Sequence, residues 1–112
     1  MTVDELIISL LSDIAQVKPD FCKGTDTVYI AFNYDTYPVR FGDNSPAYDK
    51  YLVQIHFVCP MTGYDAVDKC KEIKRRLLKG GFTYPDMTNA SDEYSQHYVF
   101  ECEYTEAIEW QL

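Results

Sequence analysis

The chain carries no catalytic signature. It has no GxSxG elbow, no phosphate-cradling glycine loop, no HExxH and no dinucleotide fingerprint. Its four cysteines, Cys22, Cys59, Cys70 and Cys102, form no CxxC pair. Cys59 follows His56 at the HxxC spacing of half a zinc site, but the second half is missing, and His97 has no ligand partner beside it. Nothing marks a thiol with a lowered pKa or a paired base, so nucleophilic chemistry is unsupported. Two carboxylate pairs are present, Asp43 with Asp49 and Glu101 with Glu103. Such pairs serve acid–base work or cation binding only in a cleft that shifts their pKa, and both read as solvated surface. The expectation is a protein that is not an enzyme, with no cofactor and no metal.

Positive charge is also scarce. Ten bases against eighteen acids leave a formal charge of −8, which repels a phosphate backbone unless the bases cluster. The single cluster is "KCKEIKRRLLK", Lys69 to Lys79, on a predicted helix, where cations solvate the outer face and complement the dipole. Sequence-specific nucleic-acid binding is therefore not expected. Acidic residues elsewhere offer sites on a neighbouring copy that this helix could face. The start, "MTVDELIISLLSDI", has early acids and no basic n-region, and no apolar run approaches membrane-spanning length. The expectation is a cytoplasmic setting with reduced thiols and no membrane partner.

What the chain does have is aromatic side chains: ten tyrosines, six phenylalanines and one tryptophan in 112 residues. Tyrosine joins an apolar ring to a polar tip and suits half-buried strands and contact surfaces. The length fits one domain with a core that needs no staples.

Thr2 followed by Glu5 matches a capping box, and Leu6, Ile7, Leu10, Leu11 and Ile14 continue at helical spacing, predicting a helix that ends near Gln16 or Val17 before Pro19. "TVYIAFNY", Thr27 to Tyr34, reads as a strand with Val28, Ile30 and Phe32 on one face. "KYLVQIHFV", Lys50 to Val58, alternates between Tyr51, Val53, Ile55 and Phe57 on a core face and Leu52, Gln54, His56 and Val58 on a wetter one. A second helix follows Thr62 and Asp65, with Ala66, Val67, Cys70, Ile73, Leu77 and Leu78 as its apolar stripe and "KGG" as its stop. "FTYPDM" is a short extended segment in which Pro85 favours a sheet edge. "YSQHYVFECEY", Tyr94 to Tyr104, alternates throughout and reads as the most regular strand, and residues 105–112 read as a tail.

The order α-β-β-α-β-β predicts an α+β two-layer sandwich. A four-stranded, largely antiparallel sheet carries both helices on one face. This is the topology of a ferredoxin-like domain with its first strand moved to the end. The other sheet face, bearing tyrosines, His56, His97 and glutamates, is left uncovered in a monomer.

Between the first two strands the sequence predicts an extended loop at about 35–49 containing "YPVRFGDNSPAYDKY". Hairpin loops normally take two to five residues and are small and polar. Tyr37, Phe41 and Tyr48 with Arg40 are instead the residue types of interface cores, and Pro38 and Pro46 stiffen the approach. Two readings follow: an arm covered by another subunit, or a loop folded over its own sheet. On the first, the contact residues are Tyr37, Arg40, Phe41, Asp43, Asn44 and Tyr48, with Arg75 and Arg76 of the basic helix.

The run from Tyr37 to Pro60, "YPVRFGDNSPAYDKYLVQIHFVCP", resembles the tail-completion or tail-terminator proteins of long-tailed bacteriophages and prophages. In them an aromatic–Gly/Ala–Asp–Asp/Asn–x–Pro segment precedes a long alternating strand; here it is Phe41, Gly42, Asp43, Asn44, Ser45 and Pro46. Length, acidity, the leading helix and the "KCKEIKRRLLKGGF" helix are similar to that family as well, whereas "EAIEWQL" has no counterpart. The resemblance implies a virion protein forming a six-fold ring at the head-proximal end of the tail tube. That ring stops tube growth and presents the surface that joins the head, with the major tail tube protein and connector proteins as partners. Another head–tail connector or head-closure component is the neighbouring alternative; an acidic binding or inhibitor module acting on a host protein is the alternative from another class.

Overall fold

A computed structural model describes residues 2–19, 28–40, 47–60 and 65–107. The elements in order are α1 (Val3–Leu11), β1 (Val17–Pro19), β2 (Tyr29–Arg40), β3 (Ala47–Pro60), α2 (Ala66–Lys79), β4 (Asp86–Asn89) and β5 (Ser95–Ala107). The sheet order is β1-β2-β3-β5-β4. β2, β3, β5 and β4 form the expected four-stranded antiparallel sheet, in the spatial order that the permuted ferredoxin-like topology requires. None of the described helices is long and apolar enough to cross a membrane.

The start of α1 and the end of α2 sit where local chemistry puts them. The backbone N–H of Glu5 donates to Thr2 Oγ1 at 3.2 Å, so Thr2 is the N-cap of α1. At the end of α2, Phe82 N–H donates to the Leu77 carbonyl and Gly81 N–H to that of Leu78, with Gly81 at φ +99°, a Schellman closure that glycine alone adopts without strain.

The core is one face of the sheet under two helices. Ile30 and Phe32 of β2, Val53, Ile55, Phe57 and Cys59 of β3, and Phe100 and Cys102 of β5 alternate inward in register. Val3, Ile7 and Leu11 of α1 and Ala66, Cys70, Ile73 and Leu77 of α2 close over them. Both helices thus cover the same face, giving the two-layer α+β sandwich. Val67 and Leu78, expected in the stripe of α2, are 62% and 52% exposed. At 100° per residue they lie about 60° and 80° outside the Ala66–Cys70–Ile73–Leu77 arc.

Two boundaries differ from the sequence expectation. The first helix ends at Leu11 rather than near Gln16, because Val17–Pro19 pairs in parallel with Ile30–Phe32 as an additional edge strand. The Ile30 N–H donates to the Gln16 carbonyl at 2.8 Å, which draws this segment out of the helix. Ile14 still packs against the core, from the turn between α1 and β1.

The second correction is larger. The loop expected at 35–49 is mostly paired strand: β2 continues to Arg40, β3 begins at Ala47, and their register is continuous from Tyr29↔Val58 to Arg40↔Ala47. Pro38 does not end β2. Ile30 turns its N–H toward β1, so even-numbered residues of β2 point their backbone groups away from β3, and a proline nitrogen at position 38 removes no bond between the two strands. The segment 41–46 that joins them lies outside the described residues. The tail expected from 105 likewise begins as strand, since β5 runs to Ala107, opposite Tyr48.

These extensions shape the molecule. β3, with fourteen residues, spans about 45 Å, whereas α2, also fourteen residues, spans about 21 Å. The strands β2, β3 and β5 therefore project well past the helical layer as a three-stranded arm. The principal extents are 55 × 21 × 21 Å, and the radius of gyration is 15.8 Å. A compact domain of this size has a radius of about 13 Å.

Candidate functional site

The sheet face away from the helices is built from odd-numbered residues of β2 and β5 and even-numbered residues of β3. In register its rows are Tyr29–Val58–His97, Ala31–His56–Val99, Asn33–Gln54–Glu101, Asp35–Leu52–Glu103, Tyr37–Lys50–Thr105 and Val39–Tyr48–Ala107. Its character changes along the strands.

At the first end Tyr29, Ala31 and Val58 form a small buried cluster. Beside it His56 Nδ1 and His97 Nε2 lie 2.9 Å apart, with ring centroids at 5.2 Å. Burial first, then the neighbouring imidazole, holds His56 below the ordinary histidine pKa. Burial also lowers His97, against a smaller opposing pull from Asp92. The pair is thus favoured as two neutral rings sharing a proton in one hydrogen bond.

In the middle lies an acidic groove of about 440 Å³. Asp35, Asp86, Glu101 and Glu103 line it, with Asn33 and Gln54 between them and Leu52 and Tyr84 supplying exposed apolar surface. Asp86 sits directly opposite Glu101 across the β4–β5 ladder. Like charges in that position are unfavourable in the isolated sheet. One cation among the described residues answers them: Lys50 Nζ lies 3.2 Å from Glu103 Oε2. Among the described residues no three potential ligands gather to hold a metal ion.

At the far end Tyr37, 47% exposed, faces Lys50 across the β2–β3 ladder, and Val39 faces Tyr48. Val39, Tyr48, Lys50, Glu103 and Thr105 line a second, shallower concavity. Tyr37 and Tyr48, read as loop residues, are therefore strand residues on one face. Arg40 ends β2; Phe41, Asp43 and Asn44 lie outside the described residues.

The arm is braced on its other face. Tyr34 O–H donates to Asp4 Oδ1 of α1 at 2.5 Å, and Tyr51 stacks edge-on against Tyr34 at 5.5 Å between ring centroids. Tyr104 lies beyond Tyr51 and against Phe82. The Asp4 hydrogen bond, then burial and the nearby negative charge, push the Tyr34 pKa up to about 12.

The two helix arginines separate in role. Arg76 is engaged at home: it donates to the Leu10 carbonyl at 3.0 Å and to Glu72 at 2.9 Å, and its guanidinium lies 3.6 Å from Asp13. It ties α2 to the end of α1. The Arg75 side chain is 74% exposed and among the described residues pairs only with Glu72 on its own helix, so of the two it is the one presented outward. The thiols of Cys59, Cys70 and Cys102 are buried, and burial raises all three, Cys70 to about 11 and Cys102 to about 12. They stay protonated at neutral pH. Cys22 lies outside the described residues.

The sequence singled out Tyr37 and Tyr48 of this surface, and Arg75 on the helix behind it, but not Asp35 or Asp86. Asp35 falls in step with Asn33 and Tyr37, a period-two signal that was readable once β2 is continued past Tyr34. Asp86 needed the β4–β5 register. Compared with protein-family models and with curated proteins, the chain matches none.

Proposed function

We propose that this chain is a structural virion protein that assembles as a ring at the head-proximal end of a phage tail tube, ending the tube and forming the surface to which the head joins. The observation that carries the reading is a sheet with helices on one face only, whose longest strand is about twice as long as the helical layer and continues past it as an arm. A monomeric binding domain gains nothing from a solvated arm of that length, whereas a ring subunit uses it to reach its neighbours. The resemblance of residues 37–60 to tail terminators supplies the place in the virion.

The surface chemistry suits such a ring. A head-to-tail interface needs two different patches on one subunit, and it closes when the rotation permits. Tyr37 and Tyr48 offer aromatic contact area on the arm, and the charge of −8 gives an assembled ring that repels DNA phosphates and lets the genome slide through. The major tail tube protein lies below the ring and connector proteins above it.

Deleting the gene from the phage or prophage that carries it tests the proposal by electron microscopy of the tails. Overlong tails without heads are expected. Tails of normal length that fail to join heads would move the chain to another connector ring. Fully infectious particles would refute a virion role.

A further inference from the structure

We propose that the acidic groove on the uncovered sheet face receives the basic outer stripe of α2 from a second copy of the chain. This deepens the ring reading by naming the two patches that meet.

The stripe is defined by helical geometry. At 100° per residue, Val67, Lys71, Lys74, Arg75 and Leu78 fall within an arc of about 100°, clear of the buried Ala66, Cys70, Ile73 and Leu77. Its ends are apolar and exposed, Val67 at 62% and Leu78 at 52%. Its centre is cationic and exposed at Lys71 and Arg75, while Lys74 leans over the Tyr84 ring at 5.9 Å. Two apolar ends around a basic centre are not what a merely solvated face requires.

The groove has the complementary plan. Asp35, Asp86, Glu101 and Glu103 surround the exposed Leu52. Asp86 and Glu101 are set opposite one another at a cost to the isolated sheet, and among the described residues Lys50 pairs with Glu103 alone. A cation brought in by a partner relieves that repulsion. The same chain carries that cation on a surface that its own groove cannot reach, because α2 packs on the opposite face of the sheet. Opposite charge between copies explains how a chain of net −8 can self-associate, and why the contact is head-to-tail.

The test is sedimentation velocity of the full chain at low ionic strength, up to millimolar concentration. The wild type is expected to associate, and rising salt to weaken that association. Two variants each remove one patch: Lys71→Glu with Arg75→Glu on the helix, and Asp86→Lys with Glu101→Lys in the groove. Each alone should weaken association on the order of 100-fold, because facing like charges cost several kcal/mol. Mixed in equal amounts, the two should associate again, because the unchanged helix of one meets the unchanged groove of the other and the acidified helix meets the basic groove with opposite charge. Circular dichroism checks that both fold; the milder Lys71→Gln with Arg75→Gln replaces the first if it does not.

A wild type monomeric throughout would overturn the proposal, as would association indifferent to salt or unchanged in either variant. A mixture in which association is not restored would overturn it too. If tails lacking the protein are overlong while these variants still associate normally, the ring reading stands and this choice of surfaces falls.

Discussion

Replacing Tyr34 with phenylalanine removes one oxygen from the joint between the arm and the first helix, and its effect can be worked out at each pH. The phenol donates to the Asp4 carboxylate and is packed beside Tyr51, so the ring stays in place while the bond is lost. A hydrogen bond to a charged group is worth about 1.5–3 kcal/mol; partial exposure of both partners brings the expected loss to about 1–2 kcal/mol. In a domain of this size that lowers Tm by about 5–10 °C. The sign of the pH dependence is fixed by the phenol. Its pKa is about 12 in the folded protein against an ordinary value of 10, so the unfolded chain ionises first as pH rises. The stabilisation is complete below pH 10 and is lost between pH 10 and 12. By pH 11 about 1.4 kcal/mol of it is gone, so the gap between wild type and Tyr34→Phe nearly closes there. Urea unfolding followed by far-ultraviolet circular dichroism at pH 8 and pH 11 measures both gaps. Equal stability of the two proteins at pH 8, or a gap unchanged at pH 11, would refute the role given to the Tyr34–Asp4 bond.

The histidine pair should respond to acid. Burial lowers both His56 and His97, so the unfolded chain takes up protons first and stability falls as pH drops through about 6.5 toward the folded values; His56→Gln with His97→Gln should flatten that part of the stability curve. Gly81→Ala places a side chain at φ +99° in the closure of α2 and should cost about 1–2 kcal/mol in chemical denaturation, whereas an exposed substitution such as Glu93→Ala should cost less than about 0.5 kcal/mol.

Period and capping made most of the fold legible. The Thr2 cap, the Tyr51–Val53–Ile55–Phe57 alternation and the Gly80–Gly81 stop each sit where the chain puts them. The strand Val17–Pro19 was hidden because three residues carry no period, and their pairing with Ile30–Phe32 is a contact between distant segments. The long β2 was hidden for a different reason. Pro38 and the polar Asp35 and Thr36 resemble loop chemistry, yet a strand stretch beyond its β1 partner tolerates a proline whose nitrogen points outward and an uncovered face tolerates aspartate. Val67 and Leu78 misled because hydrophobicity alone does not say which arc of a helix is buried. The acidic groove escaped because its four carboxylates come from three strands, and only register brings them together.

The central claim is that another subunit covers the arm and the open sheet face in the working assembly. Tyr37→Cys, at a half-exposed position on that face, allows maleimide labelling of the isolated protein and of purified tails, with the wild-type chain as the background for its own cysteines. The account predicts rapid modification in isolation and protection in tails. Equal reactivity in both, with the protein present in the tails, would contradict it.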